Sequence, residues 1–289
     1  MIYEVSHRIR FQYDEPVSIQ PLTIRLQPRS DGVQRVRDWN CQLDPAPCSS
    51  TSILDVFGNT ALQVAFEGLH RELTIQTKSE VEATRTNPFD FVSLDSRVTN
   101  LPAFYDLRIG QALAPNLHRQ VMDITIGHWA GEISGSVAWQ TQPFLLKLCE
   151  VIRRDYSSET RYEGAAFSPT KTFAEKRGAC RDLAALFMDA CRSQGLAARF
   201  VSGYVYEPGR THGSELHAWA EVYLPGGGWR GYDPTLGIAV ADAHIPVAAG
   251  PEPEWASPTE GCYLGNGDSK IDYQVQVTRN LKPTDSHRN

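Results

Sequence analysis

No two cysteines form a Cys-x-x-Cys pair. The six, Cys41, Cys48, Cys149, Cys180, Cys191 and Cys262, are scattered along the chain. That distribution disfavours a structural zinc site and a disulfide framework, and a Cys41–Cys48 bridge is not expected in a reducing compartment. Basic clusters are also lacking. Lys and Arg number 28 against 34 Asp and Glu, a net charge of −6. Without a basic stripe, neither nucleic acid nor a membrane surface is an expected partner. No apolar run reaches the roughly 18 residues of a membrane span. The first residues, Met1-Ile2-Tyr3-Glu4-Val5-Ser6-His7-Arg8, lack the charged, apolar, small-residue progression of a secretory signal. The expected location is therefore the cytoplasm. Internal repeats and low-complexity tracts are absent, and no cofactor is expected.

What remains is an ordinary globular composition. Of 289 residues, 41% are apolar and 21% charged, enough for a sizeable core and roughly two domains. Residues 1–85 read as β structure. Tyr3, Val5, His7, Ile9, Phe11 and Tyr13 alternate with mostly polar neighbours, the pattern of a half-buried strand. Further alternating runs follow, and Asp55-Val56-Phe57-Gly58-Asn59 reads as a hairpin turn. Short strands at such spacing imply a β-sandwich or barrel, and the region is taken as a β-sandwich-like domain. Residues 86–136 give a weak signal and read as a connector. From 137 to 280 helices and strands mix: a helix near 137–156 with Phe144, Leu145, Leu148, Val151 and Ile152 as its apolar stripe, then a short helix near 172–176. Three strands near 197–206, 217–224 and 229–233 follow, with a last alternating strand near 270–278.

One stretch carries chemistry first. Lys176-Arg177-Gly178-Ala179-Cys180-Arg181-Asp182-Leu183 reads as a turn, made possible by Gly178, into a helix whose first turn holds a cysteine. Leu183, Leu186, Phe187, Ala190 and Cys191 recur at helical spacing, and Gly195 stops the helix. A cysteine among the outward-pointing N–H groups of a helix start is favoured as a thiolate. By itself this says little, because free cysteines are most often buried and inert. The weight comes from two later residues. His217 opens one strand and Asp233 ends the next, and Pro225-Gly226-Gly227-Gly228 joins the two strands. A histidine at a strand end is more often structural, and Asp233-Pro234 alone is more often a turn. Cysteine, histidine and aspartate together meet the need of a thiol nucleophile for a base, and of that base for an orienting carboxylate. His217, Trp219, Glu221 and Tyr223 share a face expected to line a cleft. His212 suggests a metal pair only weakly, since 208–214 reads as a loop, and no metal is expected.

Residues 172–237 resemble the transglutaminase-like superfamily, a papain-related group of thiol enzymes. The carrying pieces are Arg177-Gly178-Ala179-Cys180-Arg181-Asp182, the run Gly195 to Tyr204, His217-Ala218-Trp219-Ala220-Glu221-Val222-Tyr223, and Gly228-Trp229-Arg230-Gly231-Tyr232-Asp233-Pro234-Thr235. The N-terminal β region is similar to that of bacterial members. The resemblance implies an α+β fold, in which a β-sandwich-like domain precedes a papain-like core whose cysteine helix packs on an antiparallel sheet. It implies Cys180 as nucleophile, His217 as base and Asp233 as orienting carboxylate, acting on a peptide or protein substrate. Arg181 departs from the glutamine common at that position, and the segment Gly250-Pro251-Glu252-Pro253-Glu254 also departs from the pattern. Tyr156, Tyr162 and Trp139 are candidates for an oxyanion-stabilising side chain. Thioester chemistry then leads to hydrolysis, the favoured outcome, or to transfer onto an amine. A non-catalytic binding module on the same fold is the remaining alternative.

Overall fold

The computed structural model describes residues 1–161, 164–209 and 215–280. Its first six strands are β1 (Ile2–Ile19), β2 (Leu22–Ile24), β3 (Gln34–Asp44), β4 (Ser49–Leu54), β5 (Thr60–Ala65) and β6 (His70–Ala83). The alternation read from Tyr3 to Tyr13 does not stop there, and one strand of 18 residues runs on to Ile19. Of its odd-numbered side chains, Tyr3, Val5, His7, Ile9, Tyr13, Val17 and Ile19 are buried, while Phe11 is half-buried and Glu15 exposed. Asp55 closes the β4–β5 turn by accepting from the N–H groups of Phe57 and Asn59, both at 2.9 Å. Gly58 takes φ 77°, which side-chain-bearing residues rarely adopt.

Residues 86–136, weak in the sequence, hold four helices: α1 (Ser96–Thr99), α2 (Leu107–Ala112), α3 (Ala114–Leu117) and α4 (Ile124–Ser136). Asp95, Asp106 and Asp123 cap three of them. Next come α5 (Thr141–Asp155), β7 (Ser157–Ser158), α6 (Pro169–Glu175), β8 (Arg177–Gly178) and α7 (Cys180–Ser193). α7 is the centre of the second core. Leu183, Leu186 and Phe187 are at most 1% exposed, and each such burial contributes about 1.5–3 kcal/mol. Gly195 ends the helix at φ 78°, as its position predicts.

The sheet under α7 is built from β9 (Ala198–Val205), β10 (His217–Leu224), β11 (Gly228–Asp233), β12 (Ile238–Ala239) and β13 (His244–Gly250), in the order β12-β11-β10-β9-β13. β13 was not expected from its Pro- and Ala-rich sequence. It lies at the sheet edge with an irregular register at Pro246, where a residue without an N–H is tolerated. A short 3-10 turn (Pro253–Ala256) leads to β14 (Thr259–Glu260), β15 (Tyr263–Leu264) and β16 (Ser269–Asn280). β16 returns to the N-terminal sheet and pairs with β1 from Ile2↔Asn280 to Tyr13↔Ser269. One face of that curled antiparallel sheet serves two cores. Tyr3, Val5, Val81, Val275 and Val277 join the α7 core. Ile9, Tyr13, Leu73 and Ile75 pack on the smaller sheet β14-β2-β5-β4.

Candidate active site

Cys180 is the first residue of α7, and Ala179 precedes it as the cap. Alanine has no side chain to hold the helix start, and Asp182 does that work from within. Its Oδ2 accepts from the Ala179 N–H at 2.7 Å. Its Oδ1 accepts from Phe167 N–H at 2.7 Å and from Arg161 Nη2 at 2.6 Å. Asp182 is wholly buried. This explains Gly178 differently from the sequence reading. Gly178 lies in β8 and lacks a positive φ, but a Cβ there would sit 2.7 Å from that of Asp182. The glycine is needed for close approach rather than for a turn. Arg181 Nη1 donates to Arg161 O at 2.7 Å. Burial first, and then the neighbouring Arg161 charge, lowers its pKa from the ordinary arginine value.

His217 and Asp233 meet because of strand register. Tyr232 pairs with Ala220, so one further step sets Asp233 opposite Trp219 and diagonal to His217 on the same face. His217 Nε2 lies 2.7 Å from Asp233 Oδ2. The ring's other nitrogen is thus left to the Cys180 side, where His217 is hydrogen-bonded to the thiol group. Burial alone would lower the imidazole pKa. The bonds to Asp233 and Cys180 outweigh it and push the value up to about 10. Burial works to raise the Asp233 pKa, but its bonds to His217 and His244 hold it well below the usual carboxylate range. The other oxygen of Asp233 accepts from the N–H groups of Thr235 at 2.9 Å and Leu236 at 3.1 Å.

His244 is the member that the sequence did not announce. Its Nε2 lies 3.0 Å from the same Asp233 Oδ2. It is buried, and its ring meets Trp219 edge-on with centroids 5.1 Å apart. A buried histidine inside the apolar run Ile245-Pro246-Val247-Ala248 was the available signal. Among the described residues, His217, Asp233 and His244 form the one group whose ligand atoms lie within 4.8 Å of one another, close enough for a metal ion. The separations of 2.7 and 3.0 Å are those of hydrogen bonds, and both histidines spend Nε2 on the carboxylate.

The remaining face of β10 differs from expectation. Of this face only His217 borders the cavities at Cys180, and Trp219 and Glu221 border a separate one of about 20 Å³. Trp219 is buried, and Glu221 is buried in an ion pair with Arg199 at 2.6 Å. Of the oxyanion candidates, Tyr156 is buried and accepts a 2.7 Å bond from Lys176 Nζ. Trp139 is 45% exposed in the α4–α5 link. Neither borders the cavities beside Cys180. Tyr162 and His212 lie outside the described residues. All six cysteines are free, with Cys149 and Cys191 buried and Cys180 partly accessible. Two solvent-open cavities meet at Cys180 and His217, one of about 300 Å³ and one of about 120 Å³.

The fold is shared with a solved protein. A Cytophaga hutchinsonii protein described as a candidate cysteine protease superposes with a TM-score of 0.75 at 17% identity, covering 98% of this chain and 93% of that one. Uncharacterised mycobacterial proteins match at full length. One from Mycobacterium leprae is 27% identical over 288 residues, covering 95% of this chain and 98% of the relative. One from Mycobacterium tuberculosis is 29% identical over 298 residues, covering 95% and 92%. Residues 3–82 match the bacterial transglutaminase-like N-terminal region. Residues 128–234, which span Cys180, His217 and Asp233, match the transglutaminase-like core, and the chain belongs to the transglutaminase-like superfamily.

Proposed function

We propose that the protein is a cysteine peptidase or amidase. The observation that carries this reading is one imidazole set between a partly accessible thiol at a helix start and a buried carboxylate. In this reading the Cys180 sulfur attacks an amide carbonyl. N–H groups at the start of α7 favour the developing oxyanion. His217 then passes its proton to the leaving amine, and the C–N bond breaks to give a thioester. Water, losing a proton to His217, attacks the thioester and releases a carboxylic acid and the restored thiol. Asp233 keeps Nε2 engaged, so the other nitrogen is the one that exchanges the proton. The solvent-open cavities at the sulfur support water over an amine as the second nucleophile.

Two measurements test this. Iodoacetamide at pH 6 should alkylate Cys180 well ahead of Cys48 and Cys262, which are exposed. Labelling of Cys180 no faster than those two removes the enzyme reading. A peptide library should be cleaved in a Cys180-dependent way when read by mass spectrometry. Amine adducts without cleavage, in the presence of a primary amine, would replace hydrolysis by transfer.

A further inference from the structure

The two cavities at Cys180 differ in character. The smaller is bordered by Ser158, Thr160 and Thr235 and by the carboxylates of Glu159, Glu207 and Glu215. Glu159 is paired with Arg177 at 3.0 Å, and Glu207 and Glu215 are engaged by neighbours as well. The larger is mostly apolar, and its outer wall is not part of the catalytic core. Ile9 and Phe11 of β1 stand directly opposite Tyr273 and Ile271 of β16, and all four face this space. Phe200 of β9 forms its floor. The sheet face that buries Tyr3 and Val5 against the α7 core thus continues outward to line the cavity that Cys180 also borders. Besides His217, two charged side chains stand among these walls, Arg181 beside the nucleophile and the exposed Glu254.

The chemistry assigns each side an occupant. An amine that leaves through His217 is a cation in water and is drawn to carboxylates, which places it toward Glu159, Glu207 and Glu215. The acyl portion must then lie toward the apolar walls. A volume of about 300 Å³ is at the lower end of small-ligand pockets and suits one large side chain. We propose that this cavity takes a large apolar side chain, aromatic or branched aliphatic, of the residue whose carbonyl is attacked. The N-terminal sheet is then a specificity element rather than an appendage. The proposal rests on the reading of Cys180 as nucleophile.

The test uses acyl-amino-acid fluoromethyl ketones with Phe, Leu, Gly, Asp or Lys next to the ketone. Cys180 sulfur attacks the methylene carbon, the C–S bond forms and fluoride leaves. The Phe and Leu reagents should inactivate the wild type at least tenfold faster than the Gly, Asp and Lys reagents. Ile271, 40% exposed on β16, is a site where a charge does not threaten folding. Ile271→Glu should slow the Phe reagent at least tenfold and favour the Lys reagent, and Ile271→Ala should slow the Phe reagent less. Iodoacetamide labelling of Cys180 should stay within twofold in both variants. Equal rates for all five reagents overturn the pocket, as does an Ile271→Glu protein that keeps the Phe preference. An Asp reagent that reacts fastest also overturns it and gives the cavity to Arg181. Slow iodoacetamide labelling of wild-type Cys180 instead sinks the nucleophile reading itself.

Discussion

Asp233 spends one oxygen on two imidazoles and the other on two backbone N–H groups. A carboxylate held by four donors cannot rotate, so it presents His217 in one orientation. Asp233→Asn keeps the shape but loses the charge and offers the wrong hydrogen-bonding pattern. On the proposed reading as a peptidase, hydrolysis should fall about 10³–10⁴-fold, measured as kcat/KM. His244 acts only through Asp233. His244→Gln should lower kcat/KM at least tenfold, since one charge-assisted hydrogen bond contributes about 1.5–3 kcal/mol, and leave KM nearly unchanged. A His244→Gln enzyme with full activity would reduce that residue to packing. His217 also ties stability to pH. Its pKa rises from 6.5 in the unfolded chain to about 10 in the native state. Protonation therefore favours folding, and the stabilisation is complete below 6.5 and lost as pH rises through 10. Thermal melts across that window should show a steeper fall for the wild type than for His217→Gln, and parallel curves would contradict it.

The element that matters most is the start of α7. Asp182 joins three separate pieces of chain there: Arg161, Phe167 and Ala179. Hydrogen bonds that involve a charged group contribute about 1.5–3 kcal/mol each. Asp182→Ala removes three and leaves the buried Ala179 N–H without its acceptor. It should destabilise the protein by about 3 kcal/mol or more, measured by urea unfolding. Because the same bonds set the first turn, alkylation of Cys180 should slow even in the surviving native fraction. Gly178→Ala would press a methyl group onto the Asp182 side chain at 2.7 Å and should disturb the same turn. A fully stable Asp182→Ala protein would show that the core alone holds α7 in place.

At the scale of the whole molecule, the N-terminal sheet docks on the catalytic core through polar as well as apolar contacts. His7 Nδ1 lies 2.9 Å from the Tyr204 hydroxyl, and the Tyr3 and Tyr206 rings lie 5.2 Å apart. Burial lowers the His7 pKa from 6.5 to about 4. The neutral ring therefore favours the native state above 6.5, and that contribution is lost as pH falls through 4. The amount at stake is about 3 kcal/mol. Acid should destabilise the protein between pH 6.5 and 4, read by thermal melts, and His7→Gln should flatten that limb. An unchanged acid limb in the variant would place the sensitivity elsewhere.

Much was legible in local pattern. The alternation of β1 and the helical spacing of Leu183, Leu186 and Phe187 announced which faces are buried, because period alone distinguishes a strand from a helix. The glycine turn after Leu224 announced that His217 and Asp233 lie on neighbouring strands. Other features depend on segments distant in sequence, for which no local pattern exists. Within 86–136, aspartate caps start α1, α2 and α4, α1 and α4 pack on α5, α4 also packs on α7, and α3 meets β9, with no strong periodicity to announce them. β13 pairs with β9 despite Pro246, because an edge strand tolerates the missing donor. Only that pairing carries His244 to Asp233. Only the return of β16 to β1 brings Ile271 and Tyr273 to the cavity that Cys180 borders. The sequence by itself determined the strand and helix faces and named Cys180, His217 and Asp233, since these follow from spacing and residue chemistry. The tertiary structure decided the fourth side chain and the wall of the cleft, since both are built by long-range strand pairing.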